Sequence, residues 1–361
     1  MLRLLLLLAA MAPAAAAQPA TVVGTVTDET GFPIPGANVY LSGTTHGDAT
    51  NERGRFEIRG VAPGAYRVIA SMLGFETVSQ SLHLAGGDWK SVRLKMTETG
   101  VEIGTASVEV ERDRQWESRL ARFTQILIGE SANADSTRIL NPEVLDFRSS
   151  WGNLTATARA PLIIENRALG YRLRYDLQEF EAGPRSIRYR GDEIFEALIP
   201  RDADEASRWE AARQRAYRGS LAHLFRALLE GTAEDEGFTL YHAAEARNTF
   251  PGSGETTSRA SADQVLTAAD YGWGTLRFGG QIDVVYDREP EEPAYLDSQW
   301  FRETRQKPNP VQSSSLHITE TLVRVDPQGT PEDPTSLTTS GYMGFERLAD
   351  RVPEDYVPPA E

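Results

Sequence analysis

Turn residues punctuate residues 31–75 so densely that only short strands fit between them. Gly31, Pro33, Pro35-Gly36, Gly43, Asn51, Gly54, Pro63-Gly64 and Gly74 recur every few positions. The intervening runs alternate apolar and polar residues. Ala37, Val39 and Leu41 oppose Asn38, Tyr40 and Ser42, and Phe56 and Ile58 alternate with Arg55, Glu57 and Arg59. A period of two puts successive side chains on opposite faces of a strand, so each run has one side to bury. Short strands with regular turn signals predict a β-sandwich. Gly36 and Gly64 follow prolines and are expected at the positive φ of type II turns. Asn51 and Gly54 are expected to close a hairpin.

The strand pattern extends to both sides. TVVGTVT precedes the segment, and Leu82 with Leu84, then Val92, Leu94 and Met96, each line one face. Lys90, Arg93 and Lys95 are expected on the exposed side. The run from Val101 reads as a seventh strand or as the lead into a second domain.

The first 17 residues carry one charge, Arg3, then an apolar run and the small residues Ala15-Ala16-Ala17. That is the layout of a cleaved secretory leader, with the mature chain expected to begin near Gln18. Without Arg3 the formal net charge moves from −15 to −16. So acidic a chain repels nucleic acid and anionic lipid surfaces. It has no cysteine, hence no disulfide, and must be held by its core. No later segment is apolar for long enough to cross a membrane as a helix.

The residues of the first region carry a resemblance. Val23-Gly24-Thr25-Val26-Thr27-Asp28, then Gly31 with Pro33-Ile34-Pro35-Gly36-Ala37, then Thr50-Asn51-Glu52-Arg53-Gly54-Arg55-Phe56, then Pro63-Gly64-Ala65-Tyr66, resemble the carboxypeptidase regulatory-like domain. The resemblance covers residues 21–96 and implies a transthyretin-like, prealbumin-type sandwich and an exported location. The same module is similar to the N-terminal extension of TonB-dependent outer-membrane receptors. It implies no catalytic residues.

The second region is expected to be strand-rich α+β with two amphipathic helices. Trp116, Leu120, Phe123 and Leu127 form one apolar stripe that Gly129 can end. Tyr171, Leu173, Tyr175 and Leu177 alternate with Arg172, Arg174, Asp176 and Gln178, which predicts a strand with one wet face. A longer helix is expected from Asp202, with Glu205 at capping-box spacing and a buried stripe of Tyr217, Leu221, Leu224 and Leu228 up to Gly231. Further strands are expected at residues 238–241, at 276–286 with a bulge at Gly279-Gly280, and at 316–325. Residues 248–263 are expected to be a loop, and the final PEDYVPPAE a loose tail. The runs ILNPEVLDF, PLIIEN and LGY are similar to those of exported proteins that carry the same N-terminal module; no activity is attached to them. The expected organisation is a leader at 1–17, a sandwich at 20–98, an α+β domain at 110–350 and a tail at 351–361.

Chemistry-bearing residues are sparse. His242 and Glu245 have the HxxE spacing of zinc carboxypeptidases. In that family the catalytic domain precedes the module and an Asn-Arg pair follows HxxE, whereas here Asn166-Arg167 comes before it. An ordinary strand-end His and Glu is the expected reading. Gly252-Ser253-Gly254 lacks a nucleophile elbow, and Gly272-Trp273-Gly274 lacks the glycine and lysine of a phosphate loop. Asp28, Glu29 and Asp48 are expected as turn acids and not as a calcium site. Glu165, Asp176 and Asp192 could pair as glycosidase acids. Arginines 208, 213, 215, 218 and 226 form the strongest basic patch. Arg215 and Arg218 have no acid three or four positions before them, which makes this pair the candidate contact for an anionic partner.

The reading is therefore a mainly β, exported, non-enzymatic binding protein of the bacterial envelope, with no cofactor and no metal. Its partner is expected to be an envelope protein or a polysaccharide. A carbohydrate-binding protein and a hydrolase with its site in the second domain are the alternatives.

Overall fold

The structure, a computed structural model, describes residues 18–99, 114–183, 187–242, 258–269, 272–298, 307–319 and 322–359. The expected leader and the run from Val101 lie outside these residues. Among those described the protein is mainly β.

Seven strands build the first unit: β1 (Ala20–Thr27), β2 (Asn38–Leu41), β3 (Gly47–Ala49), β4 (Arg55–Val61), β5 (Gly64–Ser71), β6 (Val78–Leu84) and β7 (Trp89–Lys95). They form two sheets in the orders β4-β1-β7 and β3-β2-β5-β6. Val22, Val26, Phe56, Ile58, Val92 and Leu94 of one sheet bury against Val39, Leu41, Tyr66, Val68 and Leu84 of the other. This is the sandwich that the alternation predicts.

Two turns differ from expectation. Gly36 takes φ +73°, but Gly64 opens β5 without a positive φ. A Cβ at Gly64 would stand 3.2 Å from an Asp326 carboxylate oxygen, a tight approach that glycine relieves. Asn51 accepts a bond from Gly54 N–H at 2.8 Å, with Gly54 at φ +68°. That turn joins β3 to β4, which belong to different sheets, and so makes a corner, not a hairpin.

In the second region α1 (Arg114–Ile128) places Phe123 and Leu127 on a six-stranded sheet, and Gly129 ends it at φ +100°. The strands are β8 (Thr137–Ile139), β9 (Leu145–Ser150), β10 (Asn153–Ala158), β11 (Leu162–Asn166), β12 (Tyr171–Ala182) and β13 (Ile187–Ala197). The long β12 pairs with β13 on one side and with β11 and β10 on the other. Tyr171, Leu173, Tyr175 and Leu177 bury on the α1 side.

The runs ILNPEVLDF, PLIIEN and LGY form joints of this layer. Asn141 donates to Pro161 O at 2.9 Å and accepts from Ile163 N–H at 2.7 Å, fixing the start of β11. Buried Asn166 accepts from Ala168 and Leu169 N–H and donates to Ala349 O at 2.8 Å. A Cβ at Gly170 (φ +69°) would lie 2.3 Å from the Trp209 ring.

The single long helix expected from Asp202 is two: α2 (Ala203–Tyr217) and α3 (Leu221–Glu230). Asp202 caps α2 by accepting from Glu205 N–H at 2.7 Å, whereas Glu205 reaches past the cap to Arg201 N–H at 2.7 Å. The break falls at Gly219 (φ +76°), after which Ser220 caps α3 through His223 N–H. Continuing the helix would have put Gly219 in a right-handed turn and denied α3 its own direction.

A third apolar cluster gathers α3 with β14 (Phe238–His242), β15 (Ser258–Ala260), α4 (Ala262–Val265), β16 (Leu266–Ala268), β17 (Gly274–Leu276) and β18 (Gln281–Tyr286). α5 (Pro293–Asp297), β19 (Gln312–Ile318), β20 (Val323–Val325), β21 (Leu337–Gly341) and α6 (Tyr342–Phe345) follow, with residues of β19, β20 and α6 in the same cluster. The strand expected at 276–286 is two strands in two sheets, of orders β15-β14-β18-β19-β21 and β16-β17-β20, so no bulge is needed. β15 and α4 occupy the end of the segment expected as a loop.

Candidate functional site

The polar row of β12, expected to face water, faces the sandwich. Tyr40 and Ile69 lie on the outer side of the β3-β2-β5-β6 sheet yet are 2% and 0% exposed. Arg174 donates to Ser71 Oγ at 2.8 Å, and Phe195 N–H and Gly43 N–H bond across to Thr44 O at 2.9 Å and Glu193 O at 2.7 Å. Asp192, 0% exposed, is the hub of this joint. It accepts from Ser42 Oγ at 2.9 Å and from the side chains of Arg67 and Gln178. Arg67 comes from β5 and Gln178 from β12, so one buried carboxylate ties both units. The face is polar because it is an ionic joint, and a strand pattern alone does not separate that from a wet surface.

Of the candidate acids, Asp176 and Asp192 are cross-strand partners, and Glu165 stands apart. Burial and the Asp192 charge push the Asp176 carboxyl upward, as a shared acid site requires. The pair nevertheless faces the sandwich, with Arg67 and Ser42 on Asp192. Glu165 is held below the usual carboxylate range by Arg172 and Arg167. Asp28 caps its own turn through Thr30 and Phe32 N–H, and Asp48 accepts from Glu57 N–H at 2.8 Å.

A cleft of about 590 Å³ opens between the sandwich, α2, α3 and the C-terminal residues, lined by His46, Tyr217, Arg226, Glu236, Gln328 and Glu354 among others. Residues 351–358, expected to be loose, run through it as a strap. Arg226 of α3 donates to Gln328 O at 2.6 Å, Glu354 O at 2.6 Å and Tyr356 O at 2.9 Å. Glu354 N–H reaches Gly43 O at 2.9 Å, Asp355 accepts from Thr45 N–H at 3.0 Å, and Tyr356 Oη donates to Glu210 at 2.8 Å. Arg351 meets the buried Glu193 at 2.5 Å. The strap turns at Glu354-Asp355, where Tyr356 N–H bonds to Pro353 O at 2.9 Å, and so presents its carbonyls to the half-buried Arg226 guanidinium.

Acids crowd this junction. Burial pushes Asp326 up to about 6, against the N–H groups of Thr330, Ala65 and Gln328 that it accepts from. Burial, and then Asp326, push Glu354 up to about 8. Behind Tyr217, buried His223 accepts from Gly219 N–H at 3.0 Å through Nδ1 and holds its proton on Nε2 toward Glu236 at 2.6 Å. Burial lowers its pKa despite that carboxylate, so the ring stays neutral.

The Glu354 shift has a sign that can be measured. A carboxyl raised in the folded state favours folding below its unfolded pKa, and that advantage is lost as pH climbs to the folded value near 8. Glu354→Gln should therefore leave stability at pH 5 nearly unchanged and raise it at pH 9 by about 1–3 kcal/mol. Thermal melts of both proteins across pH 5–9 should diverge as pH rises; parallel curves would count against the raised Glu354 carboxyl.

The arginine patch is divided by the structure. Arg226 is committed to the strap, and Arg213 to Leu169 O at 2.7 Å and the Tyr171 ring at 4.2 Å. Arg215 is exposed and Arg218 half-buried; both lie near enough to Glu289 to favour its charge against the burial that raises its pKa. The acidic loop thus approaches the pair that the sequence left unmatched. His242 ends β14, half-buried, and Glu245 lies outside the described residues. Among the described residues no group of three His, Asp or Glu is placed to hold a metal, and no helix is long and apolar enough to cross a membrane. Asp192 stood out in sequence only as a candidate acid, and neither its joint nor the strap was legible; the break at Gly219-Ser220 was missed although Ser220 is a ready N-cap.

Comparison with known proteins bears on the sandwich. Carboxypeptidase D of Drosophila melanogaster is 29% identical over 140 residues, 37% of this chain and 10% of that protein. TonB-dependent receptor P39 of Formosa agariphila is 41% identical over 56 residues, 16% of this chain and 5% of that protein. The chain therefore spans a tenth or less of these relatives. Among solved structures, a type II cohesin–X-dockerin complex of Acetivibrio cellulolyticus matches 24% of this chain and 62% of its own at 27% identity, with a TM-score of 0.21. A DUF3823 family protein of Parabacteroides merdae matches 50% of this chain and 81% of its own at 10% identity, with a TM-score of 0.19. Residues 21–97 match the family profile along the strands and turns described above, and this part of the chain is a carboxypeptidase regulatory-like domain.

Proposed function

We propose that the protein is an exported, non-enzymatic binding or adaptor protein of the bacterial cell envelope, with the regulatory-like domain as its adaptor. The observation that carries this reading is the ionic joint at Asp192, which fixes the sandwich on the body as one rigid presenting unit. The charged groups of the cleft support it, because Arg226 and Asp355 are spent on the chain's own backbone. That arrangement suits a scaffold and leaves little for turnover. The receptor relative supports an envelope location. Arg215 and Arg218 enter the reading as a contact for an anionic group that would compete with Glu289.

N-terminal sequencing of protein recovered from envelope fractions should begin at Gln18, and zinc-supplemented protein should release no C-terminal residue from peptides. A cytoplasmic protein with an intact leader, or metal-dependent release of C-terminal residues, would overturn the proposal.

A further inference from the structure

The two outer faces of the sandwich have different fates. The β3-β2-β5-β6 face is sealed on the body, whereas the β4-β1-β7 face turns its side chains away. The register defines that open face row by row. Arg55, Thr25 and Arg93 stand side by side, as do Glu57, Val23 and Ser91; Trp89 pairs with Thr21 and Lys95 with Thr27. The neighbours of these residues along each strand, Val22, Val26, Phe56, Ile58, Val92 and Leu94, are buried in the sandwich core, so the alternation points the named set outward. Arg55, Arg59, Arg93, Lys95 and Trp89 are all exposed, Trp89 at 67%.

This face is cationic in a chain of net charge −15. Its acid, Glu57, is already paired with Arg59 at 2.8 Å. Arg55 and Arg93 flank Thr25 two strand spacings apart, roughly 10 Å, and Lys95 continues the row along β7. Between the cations lies a floor of hydroxyls from Thr21, Thr25, Thr27 and Ser91, with the Trp89 ring at one end.

We infer that this face binds an anionic polysaccharide, its carboxylate or sulfate groups met by Arg55, Arg93 and Lys95 and a sugar ring stacked on Trp89. The inference rests on the binding reading proposed above and names the class of partner. An arginine cluster can also meet an acidic peptide, but such a peptide would leave the exposed Trp89 ring and the hydroxyls of β1 unused. Flat hydroxyl and aromatic surfaces suit sugar rings, which present hydroxyls at their edges and C–H groups on their faces. Flanking cations select the charged polymer, through an attraction that salt weakens.

Titration of the full-length protein with polygalacturonate, dextran sulfate, neutral dextran and polyglutamate tests this. Binding is expected to polygalacturonate or dextran sulfate, to fall with salt, and to be at least about tenfold weaker for neutral dextran and polyglutamate. Trp89→Ala, and separately Arg93→Gln with Lys95→Gln, should each weaken it about tenfold with the melting temperature unchanged. Arg148→Gln with Arg277→Gln removes equal charge from exposed positions elsewhere and should stay within about twofold of wild type. Equal binding of polyglutamate, equal binding of neutral dextran, no binding of either anionic glycan, or unaffected face variants would overturn the inference. An envelope protein that starts at Gln18 and binds none of these polymers would sink this inference alone and leave the broader binding reading standing.

Discussion

Arg67→Ala should destabilise the protein by about 3 kcal/mol. Arg67 is 33% exposed while its partner Asp192 is 0% exposed, so the variant strips the counter-charge from a carboxylate that water cannot reach. Ser42 and Gln178 would still donate, but neither neutralises the charge. Asp192→Asn in the Arg67→Ala background should recover part of the loss, because it removes the buried charge that the first change orphaned. Urea denaturation of the wild type, both single variants and the double variant gives the coupling directly. Strictly additive losses would show that the two side chains do not interact. The same reasoning predicts that excising residues 20–98 fails to leave a stable remainder, since it bares Asp192 together with the buried sides of β12 and β13. The sandwich is integral to the body, even though its own core is complete.

Removing residues 352–361 should cost about 4 kcal/mol at pH 6. The truncation takes two of the three carbonyls that hold Arg226, both contacts between Asp355 and Thr45, and the Tyr356 bond to Glu210. Each is worth roughly 1 kcal/mol net, more where a guanidinium donates, and the entropy of ordering the strap offsets part of the sum. The cost should shrink at pH 9. There Glu354, pushed up to about 8 by burial, is ionised in place, and the strap no longer gains from keeping it neutral. Limited proteolysis and thermal melts at pH 6 and pH 9 test both statements. A truncated protein with wild-type melting at pH 6 would remove the strap from the architecture.

What could be read directly from the chain was local. Alternation around Phe56, Val39 and Val92 identified the sandwich because a strand's side chains repeat every two residues whatever lies beyond it. The stripe of Trp116, Leu120, Phe123 and Leu127, the cap at Asp202 and the stop at Gly129 follow from short-range geometry of the same kind. Gly36, with its positive φ, belongs to this group as well.

Tertiary structure decided everything that depends on who stands opposite. Gly64 gives Asp326, more than 250 positions away, room to approach the backbone and accept from Ala65 N–H. Arg174, Asp176 and Gln178 carry the same polar alternation whether their face meets water or a second sheet, so the pattern could not distinguish a surface from an ionic joint. Asp192 and Arg67 are ordinary surface residue types until the fold buries one beside the other. The acidic, proline-bearing end of the chain had no periodicity to announce packing; it is held by Arg226, whose donors take the carbonyls that a turn at Glu354-Asp355 presents. The open face of β4-β1-β7 is a site candidate for the same reason. Its cations alternate visibly in sequence, but only the burial of the opposite face shows which side of the sandwich is left for a partner.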